Sequence, residues 1–266
     1  MIIYCNGDSF VAGVGLADDM ITGYPGFLPF NVQQQQQQRQ SAAWHMRTYT
    51  ANDPLSLERQ SIRETIELLE KTRAFPSLLG KKYNYNVVSN AEGGASMARV
   101  SRTTVTDLIK LKDGNEQIVA ILSTPPCPRF EVANGNLFWA SILFGPGQQL
   151  HSNHQAVIDN KLQYETDYHQ YTNFYINIIS IIEFCKNNNI RLIWISSTQT
   201  RKLYDEKIAM EYNDVNLLVK HANMKYDIDM YHIAETCGLP NVIGADYHWG
   251  PDVHNIVADQ LHEILK

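Results

Sequence analysis

Apolar positions along the chain fall into two kinds of pattern. Short continuous runs occur at Ile2-Ile3-Tyr4-Cys5 and at residues 86–89, 117–122 and 191–196, each β-branched or aliphatic and each followed by turn or small residues. Such runs predict strands covered on both faces. Between them, residues 57–75, 97–111 and 164–186 carry apolar side chains at helical spacing, which predicts helices. The last stretch, 251–266, places Val253, Ile256, Val257, Leu261 and Ile264 on one side of a closing helix, with Pro251 suited to its first turn.

Strands alternating with helices imply a parallel sheet with right-handed crossovers and helices on both faces. The expected fold class is α/β, a doubly wound, flavodoxin-like, five-stranded parallel sheet. In such sheets ligands bind beyond the carboxyl ends of the strands, so the chemistry is sought in the turns that follow them. Two segments interrupt the alternation and are taken as insertions, at about 18–55 and 130–160. The first holds six consecutive glutamines, Gln33 to Gln38, and reads as a lid or flexible loop, or as the extension of a short helix. The second, with Asn134-Gly135-Asn136 and Gly145-Pro146-Gly147, reads as a hairpin or a partner-facing loop. Residues 1–266 are expected to form one domain with these two insertions.

Composition narrows the function classes. With 44% hydrophobic and 19% charged residues and a net charge of -6, the chain has the make-up of a folded domain, and nucleic acid is not an expected partner. No apolar run approaches the length of a membrane span, and the amino terminus has no secretory pattern. A chain in solution is expected, with no membrane partner. The four cysteines (Cys5, Cys127, Cys185, Cys237) show no Cys-x-x-Cys and no zinc-like spacing with histidine. Neither disulfides nor a metal is expected, and Cys5 and Cys185 read as small buried hydrophobes.

Gly7-Asp8-Ser9 follows the first strand directly. It puts a hydroxyl and successive backbone N–H groups at the carboxyl edge of the sheet, where a nucleophile and an oxyanion donor fit in one turn. As a bare tripeptide it is equally a strand-ending turn or helix cap. A serine nucleophile needs a base. Of nine histidines, His248 stands out, because Asp246-Tyr247-His248-Trp249-Gly250-Pro251 follows the short apolar pair Val242-Ile243 and precedes the last helix.

These motifs together resemble the GDSL or SGNH hydrolase superfamily of serine esterases and lipases. That family places its nucleophile in a Gly-Asp-Ser block after strand one and its histidine ten residues before an alanine of the last helix, a spacing that His248 and Ala258 keep. The resemblance implies a triad of Ser9, His248 and Asp246, with no cofactor. His254 falls where many members carry a second, structural histidine. Residues 87–96, Val-Val-Ser-Asn-Ala-Glu-Gly-Gly-Ala-Ser, resemble the second block, which implies Gly94, or alternatively Gly93, as an oxyanion donor beside the N–H of Ser9. Arg99 and Arg102 read as surface charges or as anchors for loop carboxylates.

The sequence departs from the family twice. The third block normally offers an asparagine, whereas this chain reads Leu122-Ser123-Thr124-Pro125-Pro126-Cys127-Pro128-Arg129; Thr124 or Arg129 is the available replacement. The family's Asp-x-x-His is shortened to Asp246-Tyr247-His248, which changes the direction from which the carboxylate reaches the imidazole. Asp252, a backbone carbonyl or a Ser-His dyad are the alternatives. The flavour of the second and third blocks is similar to SGNH-like proteins of tailed-phage genomes, which would make the protein virion-associated rather than cytoplasmic.

The expected activity is hydrolysis of a small-molecule or glycan ester, with Arg129 and Trp249 as substrate-binding candidates. Trp44, Trp139, Trp249 and Tyr24 can stack on sugar rings or pack the core. The rival is a catalytically weak or inactive binding or structural component of a larger assembly. Nucleotide binding at the same edge is disfavoured, because Asn6-Gly7-Asp8-Ser9 lacks a glycine-rich cradle and lysine.

Overall fold

The computed structural model describes residues 1–13, 16, 64–65, 68–93, 95–125, 129–133, 139–143, 167–196, 211–237 and 249–266, and for 9–10, 129–133, 139–143 and 167 the backbone alone. The strands among the described residues are β1 (Ile2–Asn6), β2 (Asn86–Ser89), β3 (Ile118–Ser123), β4 (Arg129–Ala133), β5 (Trp139–Leu143), β6 (Arg191–Ser196) and β7 (Ile228–Asp229). The helices are α1 (Ser9–Ala12), α2 (Phe75–Tyr83), α3 (Met97–Lys112), α4 (Asp167–Asn187), α5 (Asn213–Ala222), α6 (Met230–Thr236) and α7 (Pro251–Leu265), and residues 64–65 and 68–73 before α2 are helical as well. Five strands form one sheet in the order β2-β1-β3-β6-β7, with every neighbouring pair parallel.

This is the expected doubly wound α/β sheet. From β1 the chain crosses first to β2 on one side and then to β3, β6 and β7 on the other, so the winding reverses at β1 and β3. The crevice between these two strands is the topological switch point, where open α/β sheets bind ligands.

Alternation along the central strands explains their continuous apolar character. Tyr4, Ala120, Leu122 and Trp194 pack on one face with Val100 and Leu108 of α3, Ile178 and Ile181 of α4 and Val215 of α5. Ile3, Cys5, Val119, Ile121, Ile193 and Ile195 pack on the other with Phe75 and Leu79 of α2, Ile233 of α6 and Val253, Val257 and Leu261 of α7. Both faces of each central strand are dry, which removes the polar half of the usual period-two signal. The apolar stripe of α4, at Tyr171, Phe174, Tyr175, Ile178, Ile181 and Cys185, keeps the three-and-four spacing of one helical face.

Two elements differ from expectation. The periodicity predicts a helix over 57–75; residues 68–73 are helical, but the helix breaks at Ala74, which is extended with φ -68° and ψ 149°, and Phe75 begins α2 with proline in its first turn. Proline is tolerated there and not in a helix interior. The fifth strand is the two-residue β7, whose neighbour Asp227 exchanges hydrogen bonds with the Trp194 backbone, N–H to O at 2.9 Å and Oδ2 from N–H at 2.8 Å. Val242 and Ile243 lie outside the described residues. The segment after residue 128 does form a hairpin, β4 and β5 pairing antiparallel from Arg129↔Leu143 to Ala133↔Trp139. The insertion at 18–55 lies outside the described residues. No helix among the described residues is long and apolar enough to cross a membrane.

Candidate active site

At the end of β1 the chain must turn sharply, and Gly7 allows it by having no side chain. A Cβ there would lie 2.7 Å from Val11 Cγ2 and 3.0 Å from Ser123 Cβ, well inside van der Waals contact. The Gly7 backbone thus packs directly against the end of β3. Asp8 is fully buried, and its carbonyl accepts the N–H groups of Val11 and Ala12 at 3.1 and 3.0 Å. Those bonds close the single turn α1, and Ser9 is its first residue. The Ser9 backbone therefore stands one residue past the β1 turn, at the carboxyl edge beside β3.

The turn after β2 is tied to the turn after β1. Asn90 N–H donates to Cys5 O at 2.9 Å, and Glu92 N–H donates to Gly7 O at 3.3 Å, so the two connections continue side by side beyond the strands. Arg99 of α3 fastens the second connection from the other side: one guanidinium nitrogen pairs with the Glu92 carboxylate and the other donates to Asn90 O at 3.3 Å. Arg99 is thus an anchor for a loop carboxylate. Ser96 caps α3 by accepting Arg99 N–H at 3.2 Å, which sets the helix start just past this connection.

Thr124 follows β3 at the same edge. It is 4% exposed, and its hydroxyl lies 3.1 Å from the Tyr226 hydroxyl. Trp249 is 6% exposed and packs within the second core, its ring meeting Tyr231 edge-on at a centroid distance of 6.1 Å. Tyr231 stands just past the carboxyl end of β7, so Trp249, two residues before α7, lies near the carboxyl edge too. His254 is buried and its Nδ1 accepts Phe75 N–H at 3.2 Å, a structural task. Asp252 is the acidic residue in the first turn of α7.

Gly94, Asp246 and His248 lie outside the described residues, as do the side chains of Ser9 and Arg129, together with Tyr24 and Trp44. The Arg129 backbone opens β4.

Beneath the β1 turn lies a group of polar residues that no local sequence pattern marks. Asn6 is fully buried. Its Oδ1 accepts Gly7 N–H at 2.8 Å, while its Nδ2 donates to Tyr4 OH at 3.0 Å, Thr103 Oγ1 at 2.8 Å and Thr104 Oγ1 at 3.0 Å. Tyr4 OH donates to Asp107 Oδ2 at 3.1 Å, and the same oxygen accepts Asn90 Nδ2 at 2.6 Å. Burial, and then the Asp107 carboxylate, push the Tyr4 phenol above the ordinary tyrosine range, so it stays a hydroxyl. Burial also raises the Cys5 thiol far out of the range where a thiolate forms, and it raises Cys185 to about 11. Both behave as hydrophobes. Among the described residues no group of three or more His, Cys, Asp or Glu side chains is placed to share a metal ion.

No protein-family model matches the sequence, and no curated protein matches it. Among solved structures the chain is similar to a G-D-S-L family protein of Desulfitobacterium hafniense, with 13% identity, 99% of this chain and 98% of the other covered, and a TM-score of 0.46. It is also similar to an acetyl xylan esterase of Butyrivibrio proteoclasticus, with 12% identity, coverage of 99% and 63%, and a TM-score of 0.45. A psychrotrophic esterase of Pseudoalteromonas sp. has 10% identity, coverage of 99% and 96%, and a TM-score of 0.44. These are likenesses of overall arrangement, and the fold assignment rests on the strand order itself.

Proposed function

We propose that the chain is a serine acyl hydrolase of the GDSL or SGNH type, acting on a neutral acyl ester. The observation that carries this reading is the position of the Gly7-Asp8-Ser9 turn. It leaves β1 at the point where the winding of the sheet reverses, against the end of β3 and joined by hydrogen bonds to the connection that leads to Gly93-Gly94.

In the proposed reaction Ser9 Oγ attacks the ester carbonyl carbon and its proton passes to His248. The resulting oxyanion is held by the backbone N–H groups of Ser9 and Gly94 and by the Thr124 hydroxyl. Collapse expels the alcohol, which takes the proton from His248, and leaves an acyl-serine. Water then attacks with His248 again as base, releasing the carboxylic acid and restoring Ser9. Asp246 orients the imidazole and Arg129 borders the substrate, while Trp249 packs in the core. A carbohydrate acetyl ester is the first substrate to test beyond model esters.

Turnover of p-nitrophenyl acetate by the wild type, abolished in Ser9→Ala, is the expected outcome. Undiminished turnover in Ser9→Ala would remove the assignment. A second reading, an inactive SGNH-fold component of a larger assembly, is favoured by Thr124 standing where the family has asparagine and by the shortened Asp246-Tyr247-His248. A wild type with no turnover on any acyl ester would select it.

A further inference from the structure

We propose that Asn6 is a positioning residue for the Ser9 turn, acting with Tyr4, Asp107 and Asn90 to hold the nucleophile turn and the oxyanion connection in one register. This rests on the serine-hydrolase reading above. The direction of each hydrogen bond in the group is fixed by its end. The Asp107 carboxylate only accepts, so both the Tyr4 hydroxyl and the Asn90 amide must donate to it. With its proton committed, the Tyr4 oxygen presents a lone pair to Asn6. Thr103 likewise donates its proton to Arg99 O at 2.8 Å and presents a lone pair. Asn6 must therefore turn its amide nitrogen toward α3, which leaves Oδ1 facing the one donor on the other side, Gly7 N–H.

The result is a single chain of oriented bonds. It starts at the backbone of the nucleophile turn, runs through Asn6 and Tyr4 to Asp107, and returns through Asn90 to the connection that precedes Gly94. Only a residue with an acceptor and a donor on one planar group fits position 6. An aspartate would face the Tyr4 and threonine oxygens with a second acceptor and bring another carboxylate near Asp107. Because buried polar groups are costly when unpaired, the amide has one arrangement, and the turn above it inherits that arrangement.

The test uses the full chain with Asn6→Asp, Asp107→Asn and the double exchange Asn6→Asp with Asp107→Asn. The exchange reverses the donor direction along the chain of bonds: the carboxylate at position 6 accepts from the Tyr4 hydroxyl, the amide at position 107 donates to the Tyr4 oxygen, and Asn90, which meets that same position-107 atom, turns its own amide over to accept. Turnover of p-nitrophenyl acetate is measured per active site titrated with a fluorophosphonate, which removes any unfolded fraction from the comparison. The expected result is a fall in kcat of about 10- to 100-fold for Asn6→Asp at unchanged KM, a smaller fall for Asp107→Asn, and recovery in the double exchange. Tyr4→Phe, which removes only the hydroxyl, lowers kcat several-fold and covers the case in which Asn6→Asp does not fold. Single variants with wild-type kcat per titrated site would overturn the positioning role while leaving the hydrolase reading intact. A wild type that neither turns over ester nor takes the label would overturn both.

Discussion

His254 Nδ1 accepts the backbone N–H of Phe75 at 3.2 Å, joining the first turns of two helices that are far apart in the chain. The bond has a clear cause. Phe75 opens α2, where backbone N–H groups have no intrahelical partner, and the residue before it, Ala74, has no side chain that could cap them. The imidazole of α7 supplies the missing acceptor, and the two rings lie nearly parallel with centroids 6.0 Å apart.

His254→Ala is therefore expected to lower stability by about 2–4 kcal/mol, from the lost packing and the orphaned N–H together. Chemical denaturation checks this. Turnover per titrated site should stay at the wild-type level, which separates His254 from the proposed base His248.

This bond also shows where the sequence was legible and where it was not. The central strands were readable because both faces are buried, and β6 falls on the residues that its apolar run marks; β2 falls on its run as well, but as an edge strand it is only partly buried and not covered on both faces as expected. The fold class followed from their alternation with helices. By contrast β7 is two residues in the polar setting Lys225-Tyr226-Asp227, and it is held by side-chain and backbone bonds of Asp227 to Trp194 that leave no hydrophobic trace. The start of α2 was signalled by Pro76 but masked by the apolar spacing that runs through Phe75. Ser9 was legible as a turn after a strand. Asn6 read as a turn residue as well, because its partners Thr103, Thr104 and Asp107 are remote in sequence and nothing local announces them.

Asp259 on α7 accepts hydrogen bonds from Lys82 and Tyr83 at the end of α2. The Lys82 bond first, and then the Tyr83 bond, hold its carboxyl below the usual carboxylate range. A carboxyl depressed in the folded state contributes stability that is fully present above its unfolded pKa, about 4, and is lost as pH falls through the folded value. The difference in stability between wild type and Asp259→Asn should then be constant from about pH 5 to 7 and shrink below about pH 4. Both partners are largely exposed, so the difference is small and best read at low salt. Denaturant midpoints taken across this range test the sign.

Thr124 lies within hydrogen-bond distance of Tyr226. In the proposed mechanism Tyr226 donates and the Thr124 proton is left for the oxyanion. Thr124→Val keeps the shape and removes the donor, and kcat on p-nitrophenyl acetate should fall by about 10²–10³ with little change in KM. Thr124→Ser should retain most of the activity and Tyr226→Phe should lose less than Thr124→Val.

The most direct measurement is covalent labelling with a fluorophosphonate, followed by mass spectrometry of the peptides. One adduct per chain is expected, on the peptide carrying Ser9, absent in Ser9→Ala and in His248→Ala. No adduct, or an adduct on another residue that persists in Ser9→Ala, would contradict it.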